Sequence, residues 1–141
     1  MDQFKIDLFE KEYKRSFLEY RSLTQEESKA IKEQIYDKFR ISITALFGRW
    51  LEKSLQFYSV NNAKDEFKLE MFLSDISIEF NERVFINWNR FDEIDVFSIA
   101  DLDKYFYDIW YPSADDIEIF DESLDWIVSI RHDGRIFYMK T

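Results

Sequence analysis

Trp126-Ile127-Val128-Ser129-Ile130-Arg131-His132-Asp133-Gly134-Arg135-Ile136-Phe137-Tyr138-Met139 is the stretch whose reading decides the fold. Two runs of strand-forming residues, Trp126 to Arg131 and Arg135 to Met139, flank an Asp-Gly pair. That pair is the local sequence for a tight primed turn, in which both central residues take positive φ, so the stretch predicts a β-hairpin. Asp116 to Phe120 supplies a third strand and turns the C-terminal third into a meander. Just before it, Ile99, Leu102, Phe106 and Ile109 form an apolar stripe at helical spacing that Pro112 closes, and Ser98-Ile99-Ala100-Asp101 resembles a capping box at its start. Further back, Val84, Ile86 and Trp88 alternate with Phe85 and Asn87, Asn89 to Glu93 connects, and Ile94 to Phe97 resumes, which predicts a second hairpin.

The N-terminal half follows helical spacing instead. Phe9, Tyr13 and Phe17 recur every fourth residue, with Leu8 and Tyr20 nearby, although Phe4-Lys5-Ile6-Asp7-Leu8 also alternates as a strand would. Thr24-Gln25-Glu26-Glu27 is a capping box, so a helix is expected from Gln25 to Phe39 with Ile31, Ile35 and Phe39 on its apolar face. Ile41 to Leu55 alternates at Ile41 and Ile43, then repeats through Leu46, Trp50 and Leu51 across Gly48, and reads mostly as helix. Asn61-Asn62 marks a turn before a short helix carrying Phe67, Met71 and Leu73. The expected fold is α+β, a single domain over residues 1–141. Its N-terminal helices pack on one face of a mainly antiparallel sheet of about five strands, with one helix inserted before the three-strand meander.

Composition narrows the chemistry. The chain has 141 residues, of which 46% are apolar and 19% aromatic, enough to offset the ordering entropy of folding. It holds no cysteine and one histidine, so thiolate metal sites, disulfides and multi-histidine sites within one chain are excluded. With two glycines, Gly48 and Gly134, there is no phosphate loop, dinucleotide fingerprint or nucleophile elbow, and no cofactor is expected. No apolar run suits a membrane span and the start lacks a secretory signature, so a cytoplasmic protein is expected.

Net charge is -10, and its distribution is uneven: residues 1–91 carry net -1, residues 92–126 net -11, and residues 127–141 net +2. Direct nucleic-acid or anionic-membrane binding is therefore disfavoured. The acids of the middle segment are Asp92, Glu93, Asp95, Asp101, Asp103, Asp108, Asp115, Asp116, Glu118, Asp121, Glu122 and Asp125. They are interleaved with Tyr105, Tyr107, Trp110, Tyr111 and Trp126. Acids from a helix, a strand and two loops could converge into one negative surface, with aromatic anchors, for a positively charged protein. Its expected contact residues are Asp92, Glu93, Asp101, Asp108, Tyr111, Asp115, Asp116, Glu118, Asp121, Glu122 and Asp125. The plainer reading is an acidic solubility face over a core that uses most of the aromatics.

Two constellations invite catalytic readings. His132 beside Asp133 could be an oriented general base, but it falls on a turn with no nucleophile in view. Asp116 and Glu118 would share a strand face about 7 Å apart and offer oxygen ligands to Mg²⁺ or Ca²⁺, yet the glycine and spacing of a calcium loop are missing. No catalytic or metal-ligating residue is assigned.

At Tyr111-Pro112-Ser113-Ala114-Asp115-Asp116, Ile119-Phe120-Asp121-Glu122-Ser123-Leu124-Asp125-Trp126 and the His132-Asp133-Gly134 turn, the chain resembles small bacterial immunity proteins of contact-dependent growth-inhibition and polymorphic toxin systems. The resemblance spans the last 60 or so residues, from Val84 onward. It implies a non-enzymatic cytoplasmic inhibitor of a cognate toxin, many such toxins being basic nucleases. The alternatives are a nucleic-acid-mimicking inhibitor or regulatory adaptor of a DNA-binding protein and, third, a metal-dependent hydrolase.

Overall fold

A computed structural model describes residues 1–42, 56–58 and 62–141. The elements run α1 (Gln3–Tyr13), β1 (Tyr20–Ser22), α2 (Gln25–Lys38), β2 (Gln56–Tyr58), α3 (Leu69–Asp75), β3 (Arg83–Asn89), β4 (Glu93–Ser98), α4 (Ile99–Lys104), α5 (Phe106–Ile109), β5 (Ile117–Phe120), β6 (Trp126–Ile130) and β7 (Ile136–Lys140). One sheet in the order β1-β4-β3-β5-β6-β7-β2 unites all seven strands, and every pairing is antiparallel. The α+β class and the β5-β6-β7 meander agree with the sequence pattern. The two strands beyond the expected five, β1 and β2, are three-residue edge strands, too short for alternation to register. The helix expected over Ile41 to Leu55 lies outside the described residues from residue 43 on, as does Asn61 of the Asn61-Asn62 turn.

Strand alternation sends successive side chains to opposite faces, and both faces are covered. On one, Val84, Ile86, Phe97, Ile117, Ile119, Trp126, Val128, Ile130 and Ile136 pack against Phe9 of α1, Leu69, Phe72 and Leu73 of α3, and Leu102, Phe106 and Ile109 of α4 and α5. On the other, Ile94, Phe120 and Ile127 pack against Ile35 of α2, with Phe91 and Leu124 from the connections. Helices were expected on one face only. The difference is α2, whose stripe Ile31-Ile35-Phe39 needs an apolar surface of its own and finds it on the second face.

Several local expectations hold. Thr24 Oγ1 accepts from the Glu27 amide at 3.1 Å while Glu27 returns the bond to the Thr24 amide at 3.1 Å, a complete capping box that starts α2. Others are corrected. The stripe from Ile99 to Ile109 is two short helices broken at Tyr105 (φ -118, ψ 28). Asp103 explains the break: its carboxylate accepts the Leu69 and Glu70 amides that open α3, and its carbonyl accepts Lys68 Nζ at 3.0 Å. That carbonyl is the one an unbroken helix would offer to the Tyr107 amide. Helix α1 ends at Lys14 in the left-handed region (φ 52), so Phe17 reaches the Phe9 ring from beyond the helix, edge-on at 5.1 Å.

The hairpin turn also differs from the primed form. Of its residues, Gly134 alone has positive φ (+92), the Gly134 amide donates to the Arg131 carbonyl at 2.8 Å, and the Arg131 amide donates to the Arg135 carbonyl at 3.0 Å. This is a three-residue loop closed by a glycine bulge. Glycine is required twice over, since a Cβ at Gly134 would fall 1.8 Å from Asn62 Oδ1.

Candidate functional site

Antiparallel register sorts the acidic segment between the two ends of the sheet. Asn87 pairs with both Ile94 and Glu118, and Ile117 pairs with Ile130, so Asp92, Glu93, Asp115, Asp116 and the His132-Gly134 turn share one end. Arg83 pairs with Ser98 and Phe85 with Phe120, so Asp101, Asp121, Glu122 and Asp125 lie toward the other. Strands of this length hold the ends about 17 Å apart. One surface containing all of these acids is therefore not formed.

Many of the carboxylates are engaged inside the fold. Asp121 is 1% exposed and accepts the Asn81 amide at 3.0 Å, together with the Ser123 amide and hydroxyl. Asp125 pairs with Lys38 Nζ at 2.6 Å, which lowers its carboxyl below the ordinary range. Asp108 accepts the Tyr13 hydroxyl at 2.8 Å, and this bond is the main cause that pushes the phenol up to about 12. Buried Asp95 accepts Ser22 Oγ at 2.6 Å and Trp88 Nε1 at 2.9 Å, and lies 2.6 Å from the Met1 amino nitrogen. Glu118 is 6% exposed and bonds Asn87 Nδ2 at 2.9 Å. As folded, Glu118 and Asp121 are core groups and not surface contacts. Among the described residues, the carboxylates of Asp92, Glu93, Asp101 and Glu122 carry no hydrogen bond or ion pair.

The end that carries Glu93 is built around a buried lysine. Lys5, 5% exposed, is drawn from the inner side of α1 into a cage. Its Nζ donates to the Ile109 carbonyl at 2.8 Å and to Asp115 Oδ2, and sits 4.5 Å from the Trp88 ring centroid and 4.7 Å from that of Tyr111. The Tyr111 amide closes the ring of contacts on Asp115 at 2.8 Å. A desolvated ammonium over two aromatic faces gains about 2 kcal/mol from each favourable ring. Above it opens a hollow of about 340 Å³ lined by Asp2, Lys5, Trp88, Glu93 and Asp115 with Met1. Three carboxylates share it with the Lys5 ammonium and the Met1 amino group, the latter held by Asp95. Asp92 lines the next hollow, also about 340 Å³, against Gln25, Ser28, Lys29 and Lys32 of α2. At the opposite end Glu122 shares a hollow of about 550 Å³ with Glu82, Arg21 and Arg83 over a floor of Phe85 and Val96, and Arg21 is also paired with Glu27 at 2.9 Å.

The catalytic alternatives meet their geometry here. Asp116 and Glu118 do share a face, but both turn to one guanidinium: Arg131 Nη2 donates to Asp116 at 3.2 Å and its Nη1 lies 3.7 Å from Glu118. Asp116 also accepts the His132 amide at 2.6 Å and lies 2.9 Å from His132 Nδ1. His132 is thus oriented by Asp116 and not by its neighbour Asp133, which pairs with Arg135 at 2.7 Å. No group of three or more metal-ligating side chains occurs among the described residues.

The sequence reading missed Lys5, Trp88, Asn87 and Ser129. Lys5 carried a weak signal, since it falls four residues before Phe9 on the inner side of α1. Asn87 and Ser129 sit at strand positions whose neighbours across the sheet only register reveals. Compared with models of protein families, with curated proteins and with solved structures, the chain matches none.

Proposed function

We propose that the protein is an immunity protein, which binds and neutralises a basic bacterial toxin domain in the cytoplasm and acts by occupying a surface rather than by catalysis. The observation that carries this reading is the set of exposed acids beside aromatic rings at the Glu93 end. Asp92 and Glu93 are exposed and unpaired, Asp2 and Asp115 line the same hollow as Glu93, and Trp88 and Tyr111 supply rigid rings beside them. Unpaired carboxylates attract a cationic surface and raise the encounter rate, while half-buried aromatics give the contact area that hot spots require. The contact set is accordingly narrower than the sequence implied, comprising Asp92, Glu93, Tyr111, Asp115 and Asp116 with Trp88 added. Among the described residues no helix is long and apolar enough to cross a membrane.

Co-expression with the toxin encoded beside it is the test. Protection of growth and a complex that survives gel filtration at micromolar concentration are expected. Toxicity undiminished by the protein, with no complex, contradicts the proposal.

A further inference from the structure

On the face of the sheet covered by α2, one polar row crosses an otherwise apolar cluster. Asn87, Glu118 and Ser129 stand directly opposite one another on β3, β5 and β6, at 1%, 6% and 0% exposure. Asn87 is fixed from the far side: its Oδ1 accepts the Phe91 amide at 2.8 Å, so Nδ2 faces Glu118 and donates at 2.9 Å. Ser129 Oγ is buried with no hydrogen-bond partner. Directly opposed residues of antiparallel strands hold their Cβ atoms about 4.5–5.5 Å apart, within reach of a carboxyl–hydroxyl bond. Arg131 Nη1, at 3.7 Å from Glu118, is too distant for a hydrogen bond and is committed through Nη2 to Asp116. The buried carboxyl therefore has one good donor, one distant cation and one unfilled oxygen beside it.

We propose that Glu118 is a proton-operated switch: as the acid it donates to Ser129 Oγ and leaves Arg131 to Asp116, and on ionising it draws the guanidinium inward and leaves Asp116 to His132. The proton exchanges with solvent, and no other reactant is needed. The charged and titratable groups facing the switch among the described residues are Arg131 beyond β6, Asp116 before β5 with His132 bonded to it, and Tyr36 of α2, whose phenol is raised by burial, then by Asp92 and Glu118. Burial pushes the Glu118 carboxyl up to about 7 and the Asp116 charge adds to that, against the opposing pull of Arg131 and Asn87. The switch so operates near neutral pH and alters charge at the same sheet end as Asp92 and Glu93. It goes beyond the immunity reading and is tested on the isolated chain, so either can fail without the other.

The experiment is a carboxyl and guanidinium NMR titration of the full chain, with Glu118 assigned through Glu118→Gln. Glu118 is expected to titrate near pH 7 rather than near the ordinary 4.5, with Arg131 and Asp116 signals moving at the same midpoint. Those movements vanish in Glu118→Gln and persist in His132→Gln, which separates them from imidazole titration. Ser129→Ala lowers the midpoint, because the acid loses its acceptor. A midpoint near 4.5, Arg131 signals unmoved through the Glu118 titration, or a midpoint that Ser129→Ala raises or leaves unchanged overturns the proposal.

Discussion

The hollow at the Glu93 end of the sheet and the hollow at the Glu122 end are both fed by the same acidic stretch, yet they differ in balance. At the first, Asp2, Glu93 and Asp115 share a hollow with Lys5, which is locked beneath Trp88 and Tyr111, and with the Met1 amino group, which is held by Asp95. At the second, Glu82 and Glu122 meet Arg21 and Arg83, while the neighbouring acids Asp121 and Asp125 serve amides, a serine and Lys38. A charge tally along the chain treats the two ends alike. What separates them is which acids the fold pairs and buries at each end, so exposed charge follows from topology more than from composition.

Lys5→Ala should break the comparison most severely. It removes the ammonium that joins α1 to Asp115 and leaves that carboxylate partly buried without its cation, a loss of about 3–5 kcal/mol. Denaturant unfolding measures it, and the Trp88 and Tyr111 environment should loosen together.

Glu118→Gln should come next in size and have the opposite sign. Since the folded-state carboxyl is raised above its ordinary value, its favourable contribution is complete below about pH 4.5 and is lost as pH rises through about 7. Above that, wild type carries a penalty of about 3 kcal/mol that glutamine avoids while still accepting from Asn87. Melting curves should show the variant more stable at pH 8 and nearly equal at pH 4.

Asp121→Asn is expected to cost about 1–3 kcal/mol, because a buried acceptor of two amides and a hydroxyl keeps only part of its capacity. The smallest stability effect belongs to Asp92→Asn with Glu93→Gln, within about 0.5 kcal/mol of wild type, since neither carboxylate holds anything in the fold. Calorimetry of both variants would sharpen the contrast between acids that build the protein and acids left to solvent.

Much of the architecture was legible in local pattern. The Thr24 capping box, the β3-β4 alternation and the C-terminal meander each rest on signals contained within a few residues. The edge strands were not, because Tyr20-Arg21-Ser22 and Gln56-Phe57-Tyr58 are strands only by virtue of their partners β4 and β7. The break at Tyr105 was hidden for the same reason, as Asp103 serves a helix thirty-odd residues earlier in the chain. Of the candidate surface, the acids were readable and their roles were not. Asp121 and Glu118 look like Asp92 and Glu93 in sequence, and only the register and the placement of Arg131, Asn87 and Asn81 make the first pair internal.

The association rate of a cationic toxin domain as a function of ionic strength tests the central claim most directly. Asp92→Asn with Glu93→Gln should slow association about tenfold at low salt and flatten its salt dependence, while Glu122→Gln leaves both unchanged. Equal rates and equal salt slopes for wild type and the Asp92/Glu93 variant would contradict it.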